Sequence, residues 1–149
     1  MLRKPGALVA LAVAVAALGG AVSSAAADGA PSNDDVAAAQ EIGGPTGSVT
    51  GTTELATTEP NERTHDGSVT PNDGGHSIWF RWTAPATGNA YFTTAGSSYD
   101  APWGIYTGTS IADLQVTGGW GEYVNPWSTL RRTFLRVSAG TQYLIAIDG

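Results

Sequence analysis

The sequence predicts an all-β fold, a sandwich or a barrel of antiparallel strands preceded by one short helix. Three observations carry that expectation. Segments with period-two alternation recur at roughly eight- to twelve-residue spacing, with Gly, Pro, Asn and Thr clusters between them. Glycine is abundant, 20 of 149 residues, charged residues make up only 13%, and helix-periodic segments are few. The apolar bulk is concentrated in Gly74–Pro85, GGHSIWFRWTAP, where Ile78, Phe80 and Trp82 point one way and Ser77, Trp79, Arg81 and Thr83 the other.

Residues 1–27 read as a secretory signal peptide. Arg3 and Lys4 supply the positive end, Ala7 to Leu18 the apolar run, and Ala25-Ala26-Ala27 a small-residue cleavage site before Asp28. A membrane-spanning helix needs about 20 apolar residues, and this run is shorter and ends on Gly19-Gly20. Cleavage leaves residues 28–149 as a single module with no membrane span, secreted to the extracellular side. That module keeps five arginines against 13 acids and no lysine, a balance unsuited to nucleic acid or anionic membrane. It has no cysteine, so it stands on its core or on a bound ion without disulfides.

The elements follow in chain order. Asn33 or Asp34 can cap a helix of about nine residues carrying Val36 and Ile42, which Gly43-Gly44-Pro45 would stop. Thr46 to Glu59 offers at most an edge strand, near Ser48–Thr53. Pro60 to Gly75 has the composition of a long surface loop, with Glu59, Glu62, Asp66 and Asp73 as its solvated acids. The strand at Ile78–Thr83 turns through Ala86-Thr87-Gly88-Asn89 into Ala90–Thr94, and the two read as a hairpin. Strands follow around Trp103–Thr107 and Leu114–Thr117. Thr133, Leu135 and Val137 alternate, Ala139-Gly140-Thr141 turns, and Tyr143, Ile145 and Ile147 alternate back, a second hairpin.

Four blocks, Asn33-Asp34-Asp35, His76–Pro85 (HSIWFRWTAP), Ser98–Gly108 (SYDAPWGIYTG) and Ala139–Gly149 (AGTQYLIAIDG), stand in that order across nearly the whole of residues 28–149. In them the chain resembles the bacterial pre-peptidase C-terminal domains, accessory modules of secreted proteases and other exported enzymes, related to the collagen-binding modules of bacterial collagenases. The resemblance implies a jelly-roll-like antiparallel β-sandwich and a noncatalytic role in attachment, secretion or stability of an exported enzyme. The partner would be an extracellular protein or polysaccharide surface, or a covalently linked catalytic domain. Some relatives bind calcium through an acidic segment before the first strand. Two departures stand out. Gly119-Trp120-Gly121-Glu122-Tyr123 occupies the place of an Asn-Asp-Asp run, and the last strand of the pattern, beyond Asp148-Gly149, is missing. Its absence would leave a strand edge open, which implies a fragment of a longer protein or an edge covered by a partner.

Each candidate site has a plainer alternative. No cofactor is required; calcium is the metal that suits Asn33, Asp34, Asp35 and Asp73, and helix capping is the other use of the first two. Trp120, Tyr123 and Trp127 in a Gly-rich loop, with Trp79, are candidate ligand-binding aromatics, a stacking platform for a carbohydrate-binding module; the alternative is core filling. A small hydrolase using the acidic loop is the third reading, weakened by the absence of a nucleophile elbow or zinc spacing. His65 and His76 fit no short metal motif, and His76 reads as structural.

Overall fold

The computed structural model describes residues 29–65, 75–118 and 131–149, together with the backbone of short strands at 8–10, 12–13 and 122–123. It is an all-β sandwich with almost no helix. Three- and two-residue strands β1 (Leu8–Ala10), β2 (Ala12–Val13), β3 (Gln40–Ile42) and β4 (Ser48–Val49) precede the longer β5 (Ile78–Thr83), β6 (Gly88–Thr93) and β7 (Trp103–Thr107). After them come β8 (Gln115–Gly118), β9 (Glu122–Tyr123), β10 (Arg131–Val137) and β11 (Gln142–Ile147). One sheet has the order β3-β5-β11-β7-β8 and the other β1-β6-β10-β9, while β2 and β4 form a separate pair. Most pairs are antiparallel; β3 on β5, β1 on β6 and β2 on β4 are parallel.

Alternation sorts the side chains into two cores. Ile78, Phe80 and Trp82 of β5, Trp103 and Ile105 of β7, and Tyr143, Ile145 and Ile147 of β11 face Ala90, Phe92, Leu135 and Val137 across the sandwich. Trp82 and Phe92 meet edge to face with centroids 5.6 Å apart, an orientation that places a ring edge on a π face. In the five-stranded sheet most of the residues between them in sequence are buried too, Arg81 being half-buried. Trp79, Tyr106, Leu144 and Ala146 form a second cluster with Val36, Ala39 and Leu114 on the far side of the same sheet. The middle of the five-stranded sheet is therefore buried on both faces, and its central strand is β11, where Tyr143 to Ile147 are all buried.

The cover of that far side is the segment before β5. The expected N-terminal helix is only a 3-10 turn, Val36–Ala38, after which the chain extends into β3 along the edge of β5. Tertiary bonds take the backbone groups that a helix would use. Trp79 N–H donates to Asn33 O at 2.8 Å, Asn33 Nδ2 returns a bond to Trp79 O at 2.9 Å, and Arg81 Nε donates to Ala39 O at 2.7 Å. A helix of a few turns is marginal alone, so sheet pairing wins.

The two expected hairpins are both connections between sheets. β5 pairs with β11 and β3, whereas β6 pairs with β10, so the turn at 84–87 carries the chain across the sandwich. The turn at 138–141 does the same between β10 and β11. These arches lie side by side: Ala84 N–H donates to Thr141 O at 3.0 Å, and Gly140 N–H donates to Ala84 O at 2.8 Å. Neither has the two-residue Asn-Gly or Gly-X signature of a tight hairpin, and alternation within each strand is the same for an arch as for a hairpin. Successive strands switching sheets in this way is the jelly-roll-like feature of the fold.

At the opposite end, the buried carboxylate of Asp148 ties the start of β5 to the end of β11. Its Oδ1 accepts from the backbone N–H of Gly75 at 2.9 Å, His76 at 3.1 Å and Gly149 at 3.0 Å. The edge of β6 not paired with β10 takes β1 in parallel register, Leu8 with Asn89 and Ala10 with Tyr91.

Gly104 stands under the ring of Tyr106, two residues on and on the same face of β7; a Cβ there would collide with the Tyr106 ring and hydroxyl. Gly104→Ala is expected to destabilise the protein by about 1–3 kcal/mol through overpacking. Gly43→Ala, at a position with no atom near the added Cβ, is expected to stay within about 0.5 kcal/mol of the parent. Urea unfolding of the two variants checks both values.

Candidate binding surface

Three places bring polar or exposed aromatic groups together, and they differ in access. The first is a closed network beneath the cover. Nε2–H of His65 donates to Glu62 Oε1 at 2.8 Å, the Tyr106 hydroxyl donates to His65 Nδ1 at 2.8 Å, and the Ser77 hydroxyl donates to the same Glu62 oxygen. The His65 and Glu62 side chains are each 1% exposed. Trp79 sits edge-on to His65 with centroids 5.2 Å apart. Burial, the largest cause, pushes the Tyr106 hydroxyl well above the ordinary tyrosine range, which keeps it a donor. Ser77 bonds the carboxylate and not the imidazole, so the trio lacks the nucleophile–base contact of acyl transfer. Its role is to pin the covering segment to the sheet.

The acidic loop thus differs from its solvated expectation at Glu62, and Glu59 is held as well. Glu59 Oε2 accepts from Val36 N–H at 2.7 Å, and burial, the leading cause, raises its carboxyl above the ordinary range. Asp66 and Asp73 lie outside the described residues. Of the expected calcium ligands, Asn33 is buried and holds Trp79 through its Nδ2 and its backbone oxygen. Asp34 accepts from Thr57 N–H at 2.6 Å and from the Thr57 hydroxyl at 2.7 Å. Asp35 precedes the 3-10 turn, its carbonyl accepting from Ala38 N–H. Among the described residues no three His, Cys, Asp or Glu side chains cluster in a way that could hold a metal ion.

The second place is an open cleft of about 490 Å³ lined by Thr52, Thr53, Glu54, Leu55, His76 and Tyr99 beside Gly149. Leu55 stands at its rim, 62% exposed and with φ at 63°, a left-handed backbone costly for a branched side chain. His76 is structural, as expected, its Nδ1–H donating to Ala56 O at 2.6 Å. Tyr99 is braced by Thr53 Oγ1 at 3.2 Å.

The third place is the outer face of the four-stranded sheet. Alternation in β10 turns Leu135 and Val137 to the core and Arg132, Phe134 and Arg136 to solvent. Phe134 lies opposite Tyr91 of β6 in register, with ring centroids 4.8 Å apart at 45°. Phe134 is 65% exposed, the most exposed large hydrophobic side chain among the described residues. Arg136 stands opposite Asn89; Arg132 stands between Thr93 and Glu122 in register. Among the described residues neither arginine has an ion pair, whereas Arg131 binds Asp100 at 2.7 Å and Arg81 lies 3.8 Å from Glu41. The result is a patch of two tilted rings in contact, with a cation on either side along β10.

No family model, curated protein or solved structure matches this chain. The site therefore rests on geometry. Trp79, expected as an exposed stacking residue, is corrected: it is fully buried, because the segment 29–65 covers the face of β5 on which it stands. Trp120 and Trp127 lie outside the described residues, and so does the side chain of Tyr123, whose backbone pairs with Arg131. The aromatic pair Tyr91 and Phe134 did not figure among the expected binding residues. The signal for it is the same alternation that marks Thr133, Leu135 and Val137 as inward, which leaves Arg132, Phe134 and Arg136 outward.

Replacing Tyr106 by Phe keeps the ring that packs near Trp79 but removes the hydroxyl that satisfies buried His65. The expected cost is about 1–3 kcal/mol, the desolvation of one unpaired polar group. Equal unfolding free energies for Tyr106→Phe and the parent in denaturant titration would contradict this role.

Proposed function

We propose that this chain is a noncatalytic, secreted accessory or adhesion module. It attaches to an extracellular protein or polysaccharide surface, carrying with it any exported enzyme to which it is joined. Its contact surface is the outer face of β6 and β10. The observation that carries the reading is Phe134, 65% exposed and packed against Tyr91 on the outer side of the sheet. Aromatic side chains are large, stiff and costly to leave in water, and an exposed group of them between arginines is the usual composition of a contact patch. Among the described residues the five-stranded sheet offers no comparable aromatic pair, because Trp79 and Tyr106 on its outer side are buried under Val36, Ala39 and Leu114.

The reading agrees with what the resemblance to pre-peptidase C-terminal domains implies, and it needs no chemistry from the buried His65 network. A leader at residues 1–27 would be removed on export, taking β1 and β2 with it and freeing the β6 edge that β1 covers. A carbohydrate-binding module is the alternative within the same reading, since a sugar ring stacks on the same pair.

The test is replacement of the pair. Phe134→Ala and Tyr91→Ala are expected to abolish retention on whichever matrix, collagen or insoluble polysaccharide, retains the parent. Stability should fall by only about 0.2–1 kcal/mol, the worth of one cross-strand pair. Undiminished retention by both variants would remove this face from the function.

A further inference from the structure

We infer that the outer face of β6 and β10 binds an acidic polysaccharide, one sugar ring resting on the Tyr91–Phe134 pair and flanking anionic groups held by Arg132 and Arg136. The inference rests on the reading of that face as the contact surface and adds the chemical class of its ligand.

Charge complementarity is the first argument. The chain has a formal net charge of −6, yet this face turns two guanidinium groups to solvent. The two other arginines on the sheets are engaged with Asp100 and with Glu41 and Ala39 O. Long-range attraction to an anion is therefore weak, and selectivity must come from close contact, which suits planar guanidinium forks meeting carboxylate or sulfate groups.

Spacing is the second argument. Arg132, Phe134 and Arg136 are successive outward positions of one strand, so the two arginines stand about 13 Å apart with the ring midway between them. A linear polymer laid along β10 meets cation, aromatic and cation in turn. Arg132 has Glu122 beside it in register, whereas Arg136 faces Asn89. Arg136 is therefore the stronger anion anchor.

Affinity electrophoresis of the protein through gels containing polygalacturonate, dextran sulfate or a neutral soluble cellulose derivative tests this. The expected result is retardation by an acidic polymer and not by the neutral one. Polygalacturonate alone assigns carboxylate, and dextran sulfate alone assigns sulfate. Arg136→Gln is expected to weaken binding about tenfold, the loss of one charge-assisted contact, Arg132→Gln by less, and Phe134→Ala to abolish it. Binding should also weaken as salt is raised, because exposed charges are screened. Retardation by the neutral polymer that Phe134→Ala abolishes and Arg136→Gln leaves unchanged would overturn the acidic class while leaving the contact face intact. Retention only on a protein matrix, sensitive to Phe134→Ala, would do the same. Acidic-polymer binding that survives Phe134→Ala would overturn both the ligand class at this face and the face itself.

Discussion

The structure depends on a sheet that is apolar on both sides. In β5, β7 and β11 the inward set of side chains faces the second sheet, and the alternate set is apolar at its centre, where Trp79, Tyr106, Leu144 and Ala146 are buried, with Arg81 and Thr83 at its margin. Burying one tryptophan removes enough area from water to be worth roughly 4–6 kcal/mol before entropy is subtracted. Such a sheet cannot leave its second face to solvent. The segment 29–65 has almost no large side chains of its own, so it supplies little apolar cover and is held by polar bonds instead. Asn33 pairs with the backbone of Trp79, Arg81 caps Ala39 O, and His65 and Glu62 reach through to Tyr106 and Ser77. The His65, Glu62, Tyr106 and Ser77 groups pair with one another, whereas the buried indole N–H of Trp79 beside them finds no partner among the described residues, and an unpaired buried donor is a cost to the fold.

The same constraint decides which sheet face is left open to solvent. With the middle of one sheet enclosed, the exposed face belongs to the other sheet, and the bulky groups on it are Tyr91 and Phe134. The arginines divide accordingly. Arg81 and Arg131 serve the fold, one on the cover and one against Asp100, while Arg132 and Arg136 flank the rings without a fold partner among the described residues. Core and open face thus draw on alternate positions of one strand, β10.

Much of the sandwich was legible from alternation and turn residues. The strand at Trp103–Thr107 falls where the sequence places it, and the core residues Ile78, Phe80, Trp82, Tyr143, Ile145 and Ile147 are as expected. What alternation does not encode is the partner of each strand. The links at 84–87 and 138–141 look like hairpins in sequence and are arches in space, because neither turn fixes a two-residue register. The capping residues Asn33 and Asp34 look like the start of a helix, yet their polar groups are claimed by Trp79 and Thr57. Trp79 looks exposed on a half-buried strand because its cover is distant in sequence and nearly featureless. The exposed face of β10 is readable in the alternation, since Arg132, Phe134 and Arg136 share it, whereas the Gly-rich stretch with Trp120 and Trp127 stands out by composition alone.

The division of the molecule into one enclosed sheet and one open face is tested most directly by hydroxyl-radical labelling of the native protein with residue-level mass spectrometry. The account predicts rapid labelling of Phe134, measurable labelling of Tyr91, and protection of Trp79, Trp103 and Tyr106 up to the unfolding transition. Labelling of Trp79 or Tyr106 at rates near that of Phe134 would show that the face of the five-stranded sheet is open and would contradict it.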